Sequence, residues 1–308
     1  MSPNELVREI AKPAKRSAAP IASIEPVLQL EGIYICADKG KEHRLLVKDL
    51  SLVVRPGEIA ALVGESGSGK SVTANAILGL LPHSLRVTEG TIRLVGEDIG
   101  ALSDRKRSKL RGTQIGYVFQ NYQSSFTPFI KIGMQMLETL RSHQKISRKD
   151  AKQFALDWLL RAGLPAERVY DSYPFQLSGG QLQRAALASA MMLKPALLIA
   201  DEPTTALDPI AGECVLDLLA SLQEQTGCAV LMISHDLRHV MKRADSIAVM
   251  QSGQLVEAGR ADNIIQAAQH PYTQMLLEAT PHLAEIERMH QRSMAAASRL
   301  METKEGSA

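Results

Sequence analysis

The sequence predicts an α/β fold with a mainly parallel sheet. An apolar run over residues 59–63 leads directly into the spacing G-x-x-x-x-G-K-[ST] at 64–71, and an apolar helix is expected over 72–81. Between 196 and 250, apolar strands alternate with helical stretches. Strands that are apolar throughout and separated by helices are typical of a parallel sheet covered on both faces.

Composition indicates an ordinary soluble globular protein of 308 residues. Its net charge of +2, from 35 basic and 33 acidic residues, gives no strong field for nucleic acid. Cys36, Cys214 and Cys228 lack metal-ligand spacing, which favours reduced thiols over a disulfide framework. No apolar run is long enough to span a bilayer, and the N-terminus lacks the apolar core of a signal peptide. We therefore expect any membrane role to come through a partner.

The N-terminal part predicts a tail followed by strands. Residues 1–26 are rich in Lys, Arg, Ala, Pro and Ser, and we expect a mobile tail or a short frayed helix there. A first strand is predicted within 27–35, and two strands flanking a turn are predicted within 45–54. The Pro-Gly pair in 55–58 predicts a turn that leads into the strand before the glycine-rich loop.

The middle of the chain predicts more mixed structure. We expect a short strand at 91–95, a solvated basic helix at 105–111 and a buried strand at 115–119. A largely helical region is expected from 134 to 164, with Trp158 in its core. Towards the C-terminus, helices are expected at 181–193, 212–225 and 237–243, and strands at 196–200, 229–233 and 247–250.

The glycine-rich loop is the strongest candidate site. Its glycines allow backbone conformations closed to other residues, so that successive N–H groups can turn towards a phosphate. Lys70 supplies a charge for the β and γ phosphates, Ser71 supplies a hydroxyl for Mg²⁺, and the helix N-terminus adds its dipole. The alternative is a glycine-rich turn without a ligand. The predicted phosphate-binding residues are Gly64, Glu65, Ser66, Gly67, Ser68, Gly69, Lys70, Ser71 and Val72.

Two carboxylates follow a buried strand, at the edge of the sheet where ligands of such folds bind. Asp201 is expected to hold Mg²⁺ directly or through water, and Glu202 is expected to polarise an attacking water. A pair of solvated acids is the alternative. Gln120 and His235 also follow strands, so the amide can reach Mg²⁺ or water and the imidazole can reach a γ-phosphate. The alternatives are a loop residue and a structural histidine.

A second glycine turn, at 177–181, precedes a helix and also describes an anion cradle. One nucleotide does not need two such cradles in one chain. The second cradle therefore either serves a nucleotide held by another chain or is only a turn that leads into a helix.

Taken together, residues from about 27 to 280 resemble the nucleotide-binding subunit of an ATP-binding-cassette (ABC) transporter. The family's motifs appear in order: Walker A at 64–71, the Q-loop glutamine at Gln120, the LSGGQ signature at Leu177, Ser178, Gly179, Gly180 and Gln181, Walker B at 198–202, the D-loop at Ala206, Leu207 and Asp208, and the switch histidine at His235.

The resemblance implies a P-loop NTPase core with a mainly parallel sheet, an N-terminal antiparallel β subdomain and an inserted α-helical subdomain that carries the signature. It implies catalytic roles for Glu202, His235 and Gln120, and Mg²⁺ held by Ser71, Gln120 and Asp201. The implied division is a tail at 1–26, a nucleotide-binding domain at 27–280 with its helical subdomain at about 121–180, and a helical C-terminal tail at 281–308.

In this family two cassettes enclose two ATP molecules, each between one chain's Walker A and the other chain's LSGGQ. The resemblance thus implies ATP and Mg²⁺ as ligands, and a second homologous cassette as partner, expected as a heterodimer with a homodimer possible. It also implies two integral membrane permeases, an indirect extracytoplasmic solute-binding protein, no nucleic acid, and a peripheral position on the cytoplasmic face of the inner membrane.

Three stretches resemble the oligopeptide, dipeptide and nickel importer group, namely 80–92, 120–128 and 270–273. Within that group the chain is most similar to importers of nickel or opine-type metal chelates. A non-transport ABC ATPase is the alternative, although the coiled-coil insertions, zinc cysteines or second cassette usual in that class are not seen in the sequence.

Two further expectations concern the ends of the cassette. Ala37 stands where the family usually carries the aromatic that stacks on adenine, so Tyr34 is either a substitute or a core residue. Apolar residues between 281 and 306 fit an amphipathic helix that packs on its own cassette or on the partner.

Overall fold

The computed structural model describes residues 25–39 and 42–280. Most of the predicted N-terminal tail and all of the amphipathic helix predicted over 281–306 lie outside the described residues. Within the described ranges, no helix is both long and apolar enough to cross a membrane.

An antiparallel sheet forms the N-terminal part of the fold, with strand order β2-β1-β4-β5. The separation of residues 45–54 into two strands is wrong, because one strand continues through the whole range. Asp49 has a positive φ of 48°, and the ladder with β1 shifts register nearby, so the irregularity is a bulge within the strand rather than a turn. The strands are β1 (Leu28–Lys39), β2 (Glu42–Val54), β4 (Leu85–Leu94) and β5 (Glu97–Asp98).

A six-stranded sheet carries the rest of the fold, in the order β10-β9-β3-β8-β7-β6. All its pairings are parallel except that of β10 with β9, which confirms the expected mainly parallel sheet. Strand β10 is not predicted from the sequence, because its half-exposed residues show no clear apolar pattern. The strands are β3 (Ile59–Val63), β6 (Ile115–Val118), β7 (Leu197–Asp201), β8 (Ala229–Ser234), β9 (Ser246–Gln251) and β10 (Gln254–Arg260).

The helices agree broadly with expectation. The helix predicted over 72–81 instead covers 70–78, because Gly79 takes a left-handed conformation and the Leu80 N–H donates to the Asn75 carbonyl. The region predicted as helical from 134 splits where the Ser147 side chain caps a new helix. The helices are α1 (Lys70–Leu78), α2 (Asp104–Leu110), α3 (Ile132–His143), α4 (Arg148–Arg161), α5 (Ala166–Asp171), α6 (Gly179–Met191), α7 (Pro209–Thr226), α8 (Leu237–Arg243), α9 (Ala261–Ala267) and α10 (Pro271–Glu278).

Two hydrophobic cores lie on opposite faces of the parallel sheet. Along β3, Ala61 packs into the core that contains Trp158, whereas Ala60 and Leu62 pack into the core beneath the antiparallel sheet. Trp158 is buried, as expected. Because both faces of β3 are covered, the end of this strand is held in place, and so is the start of the loop that follows it.

Candidate nucleotide site

The glycine-rich loop at 64–71, called the phosphate loop below, connects β3 to α1. Close packing on a neighbouring strand sets its shape. Gly64 and Gly69 have φ values of 152° and 109°. A Cβ atom on Gly64 would lie 2.1 Å from the Met250 carbonyl oxygen of β9. Glycine is therefore required at this position by the chain's own packing, before any ligand is considered.

Lys70 lies buried at the start of α1 and braces the loop from inside. Its Nζ donates to the carbonyl oxygens of Gly64 (2.7 Å) and Glu65 (2.8 Å) and to Ser68 Oγ (3.3 Å). Burial lowers the pKa of Lys70, and the nearby carboxylates, with Glu202 the strongest, oppose that shift. The Lys70 ammonium group therefore bonds with backbone carbonyl oxygens, and a phosphate oxygen can replace these carbonyls as its acceptor.

Ser71 and Asp201 meet beside the loop, where Ser71 Oγ donates to Asp201 Oδ1 over 3.2 Å. Tyr117 of β6 donates its hydroxyl to the other carboxylate oxygen, over 3.1 Å. Burial raises the pKa of Asp201, although both hydrogen bonds act against that rise, and burial next to this carboxylate raises the pKa of Tyr117. Tyr117 was not predicted as a site residue. The available signal was a lone polar side chain in an otherwise apolar strand.

Glu202 is the centre of a second polar cluster. Its Oε1 lies 3.0 Å from His235 Nδ1, and its Oε2 accepts from Gln120 Nε2 and from Thr205 Oγ1, each over 3.0 Å. The structure thus brings together the three residues predicted as catalytic and adds Thr205, which sequence reasoning missed. A carboxylate with both oxygens engaged by a histidine, an amide and a hydroxyl is well oriented to accept a proton from a water.

Backbone strain marks the same residue. Glu202 has a φ of 46°, a conformation that costs a non-glycine residue of order 1–3 kcal/mol. Its N–H donates to the Ile233 carbonyl over 2.9 Å, so the end of β7 is anchored to β8 in this geometry. In this conformation the Glu202 carboxyl lies beside His235 and Gln120.

Within the signature turn at 177–181, two residues hydrogen-bond to each other. The Ser178 N–H donates to Gln181 Oε1 (3.2 Å), and the Gln181 N–H donates to Ser178 Oγ (3.3 Å), which is a capping box at the start of α6. Among the described hydrogen bonds, none joins these two side chains to the phosphate loop. The structure therefore does not bring the two predicted cradles together within one chain.

The D-loop lies between the two carboxylates and α7. Ala206 has a φ of 64°, and Asp208 caps α7 by accepting from the Ala211 N–H over 3.0 Å. Together with Leu207, these residues line a cavity of about 330 Å³ that Glu202 and His235 also line. The predicted D-loop residues thus share one cavity wall with the Glu202 cluster.

Gln183 connects the signature helix to this region. Its side chain is fully buried, and Nε2 donates to the Pro203 carbonyl oxygen over 2.7 Å. Pro203 directly follows Glu202. Sequence reasoning missed Gln183, because a glutamine on an apolar helix face gives no signal of its partner.

The donor chemistry beside the loop suits Mg²⁺, since a hydroxyl and a buried carboxylate are oxygen ligands. Ser71 and Asp201 supply them, whereas the third predicted ligand, Gln120, lies against Glu202 through its amide nitrogen. Tyr34 lies half-buried on β1, where its carbonyl accepts from Thr88 Oγ1 over 3.4 Å. None of the described hydrogen bonds joins Tyr34 to the phosphate loop, and its role at adenine stays a prediction.

Two family profiles match the chain. One, described as ABC transporter, covers residues 47–205. The other, described as the C-terminal region of oligopeptide/dipeptide transporters, covers 256–306.

Curated relatives agree with these profiles. The chain is 42% identical to the dipeptide transport ATP-binding protein DppD of Escherichia coli, over 78% of this chain and 73% of the relative. It is also 42% identical to the oligopeptide transport ATP-binding protein AmiE of Streptococcus pneumoniae, over 78% of this chain and 68% of the relative.

Solved structures show the same fold. A bacterial ABC transporter cassette solved as a dimer is 30% identical, with a TM-score of 0.68 over 76% of this chain and 98% of that cassette. The same cassette has been solved as a dimer in a post-hydrolysis state bound to ADP and Pi, and it matches with the same TM-score of 0.68.

Proposed function

The chain belongs to the ABC transporter family of ATP-binding proteins, and from this premise we propose that it is the ATP-hydrolysing subunit of an importer for peptide-like solutes. The match of residues 256–306 to the C-terminal region of oligopeptide/dipeptide transporters carries the choice of solute class. The two named relatives act on oligopeptides and dipeptides according to their names. The nickel or metal-chelate cargo expected from the sequence has no such support and stays a prediction.

The phosphates of ATP are proposed to bind in the loop between β3 and α1. The backbone N–H groups of the loop and the N-terminus of α1 favour an anion, and Lys70 supplies the positive charge. Its present acceptors are carbonyl and hydroxyl oxygens, which phosphate oxygens would replace. Ser71 and Asp201 would hold Mg²⁺, which supplies charge neutralisation on the phosphates when bound.

Glu202 is proposed to be the general base. Gln120 and Thr205 fix one of its carboxylate oxygens, and His235 lies against the other. A water that attacks the γ-phosphate can lose its proton to this carboxylate, while His235 and Gln120 hold the water in place. Because Glu202 is strained in this orientation, its carboxyl is positioned before substrate binds.

The second half of the site is proposed to come from another cassette. In the described structure, the side-chain hydrogen bonds of Ser178 and Gln181 join only these two residues, and the N-terminus of α6 is proposed as the anion cradle for the other cassette's nucleotide. The related cassette solved as a dimer supports this arrangement. The finer expectation, a heterodimer with a homologous but different chain, belongs to the same proposal.

A permease is proposed to contact an apolar surface beside Gln120. Leu80 and Phe119 are large side chains with 44% and 43% of their surface exposed. Leu80 and Phe119 also line a cavity of about 240 Å³ next to the strand that leads to Gln120. A permease helix in this groove would place the chain on the cytoplasmic side of the membrane and would move with Gln120.

Reconstitution tests the whole proposal. The chain would be co-purified with the second cassette and the permeases encoded by adjacent genes, and the complex would be placed in vesicles. Uptake of labelled dipeptides and oligopeptides would then be measured with ATP supplied on the side of the membrane that carries the cassettes. We expect peptide uptake that stops with Glu202→Gln, although this variant still binds ATP. Co-purification of nucleic acid or ribosomes instead of permeases would favour the non-transport alternative, and uptake of nickel without peptide would correct the solute class.

A further inference from the structure

Tyr272 contacts the phosphate loop from a distant part of the chain. Its hydroxyl oxygen accepts a hydrogen bond from the backbone N–H of Glu65 over 3.0 Å, although the two residues are 207 positions apart. We propose that Tyr272 is a positioning residue that keeps the phosphate loop in its binding shape while nucleotide is bound. This role rests on the proposed ATP-binding function.

The helix that carries Tyr272 is fixed independently of the loop. His270 caps α10 by accepting from the Tyr272 N–H at Nδ1, over 3.2 Å. Glu257 of β10 accepts from the backbone N–H groups of Gln269 (2.7 Å) and His270 (3.1 Å). The Tyr272 side chain itself is 6% exposed and packs in the larger core. Its hydroxyl is therefore held in place by the rest of the fold, and the loop adapts to it.

The bonds inside the loop and the bonds from outside it respond differently to a ligand. Lys70 Nζ now bonds with the carbonyl oxygens of Gly64 and Glu65, and a phosphate competes for that same ammonium group. From outside the loop, the Tyr272 hydroxyl accepts from the Glu65 N–H, and the Gly253 N–H donates to the Ser68 carbonyl over 3.0 Å. A phosphate oxygen is an acceptor and can bind any N–H that is free, so the proposal requires that the Glu65 N–H stays with Tyr272 and the Gly253 N–H stays with Ser68.

Two sets of hydrogen bonds therefore hold the loop in different ligand states. In the empty protein, Lys70 and the outside bonds both hold the loop. In this proposal, the bonds from Tyr272 and Gly253 persist when phosphate takes the ammonium. Loss of the Tyr272 hydroxyl should consequently affect the nucleotide-bound state more than the empty state. A merely structural tyrosine would affect both states equally, and this difference makes the proposal testable.

The decisive variant is Tyr272→Phe, which keeps the ring and removes only the acceptor. We expect the Kd for ATP to rise about three- to tenfold, because the Glu65 N–H loses its partner in the bound state. The melting temperature of the nucleotide-free chain should change by less than about 2 °C, since Lys70 still braces the empty loop. The matched control is Tyr170→Phe, the same change at a tyrosine of α5 that is also 6% exposed.

The full-length chain would be titrated with ATP and Mg²⁺ by calorimetry, with hydrolysis blocked by the Glu202→Gln background in all samples. Hydrogen exchange of residues 64–71 would be faster in Tyr272→Phe than in the parent only when ATP is bound. A Kd within twofold of the parent would overturn the role, as would an equal loss in Tyr170→Phe or a parallel fall in melting temperature. A parent chain that binds no ATP would instead overturn the proposed function itself.

Discussion

The phosphate loop and the signature turn are both glycine-rich cradles ahead of a helix, yet the chain builds them differently. In the phosphate loop, a Cβ on Gly64 would collide with the backbone of β9, and the loop is tied to Gly253 and Tyr272. In the signature turn, a Cβ on Gly180 would meet only the Ala211 Cβ, at 3.3 Å. The first glycine is required by this chain's own packing, whereas the second is not, which is consistent with a requirement imposed by a partner.

The largest expected effect is that of Gly64→Ala. The new methyl group would lie 2.1 Å from the Met250 carbonyl oxygen, and alanine disfavours the φ of 152°. We expect ATP affinity to fall on the order of 100-fold, because the loop must move away from β9 and lose its fitted N–H geometry, and misplacement by about 1 Å can cost that much in a positioned site. Calorimetric titration of the isolated chain would measure it. Retained affinity would show that the phosphate loop is not shaped by β9.

Gly180→Ala should separate the two cradles. Its methyl group needs only a small shift of Ala211, so the melting temperature and the ATP affinity of the isolated chain should stay close to wild type. We expect ATPase activity of the assembled transporter to fall about 10- to 100-fold, because the methyl group crowds the start of α6, which is proposed to act on the other chain's nucleotide. The matched control is Gly259→Ala on β10, which also lies outside the left-handed region and whose new Cβ would meet only the Ile264 side chain, at 3.5 Å. If the isolated chain loses ATP affinity, the division between the two cradles is wrong.

Ser178→Ala removes one half of the capping box. The start of α6 should lose about 1 kcal/mol of stability, measured by urea unfolding of the isolated chain. Ser147→Ala, which removes the cap of α4, is the matched control with a similar loss of stability. Only Ser178→Ala should also lower the ATPase activity of the assembled transporter. Equal activity of the two variants would indicate that the signature serine has only a structural role.

Asp201→Asn should have the smallest effect on the fold and should raise stability. Burial raises the folded-state pKa of Asp201 above the unfolded value of 3.8, so the folded state binds more protons and the contribution of this group to stability falls as pH rises through that range. At pH 7 the charged form is therefore unfavourable, and the amide should raise the melting temperature of the empty protein by about 1–3 °C. This gain should vanish near pH 3. A fall at pH 7 would contradict the sign.

Sequence reasoning predicted the parts of the site that are local in the chain. The loop at 64–71 and the pair Asp201–Glu202 follow apolar strands, so spacing and strand ends were enough to find them. Tyr117 and Tyr272 reach the site across the sheet or from the far end of the chain, and such contacts leave no local pattern. Their identification needs the order of the strands.

The same reason explains the errors in the fold. Apolar strands that are buried on both faces were predicted closely, because their pattern does not depend on their neighbours. Strand β10 pairs at the sheet edge and is half-exposed, and its sequence alone does not distinguish it from a loop. Residues 45–54 contain a bulge at Asp49, which looks like a turn in the sequence and is absorbed by the ladder in the structure.

The bond from Gln183 to the Pro203 carbonyl has a consequence for timing. It joins the interior of α6 to the residue after Glu202, so a tilt of this helix would pull on the chain next to the Glu202 carboxyl. A nucleotide held by the other cassette would press on the start of α6, whereas the water that Glu202 is proposed to activate would attack this chain's own nucleotide. The position of the Glu202 carboxyl at one site would thereby depend on ATP at the other site. Hydrolysis by the pair of cassettes would then require that both ATP molecules are bound.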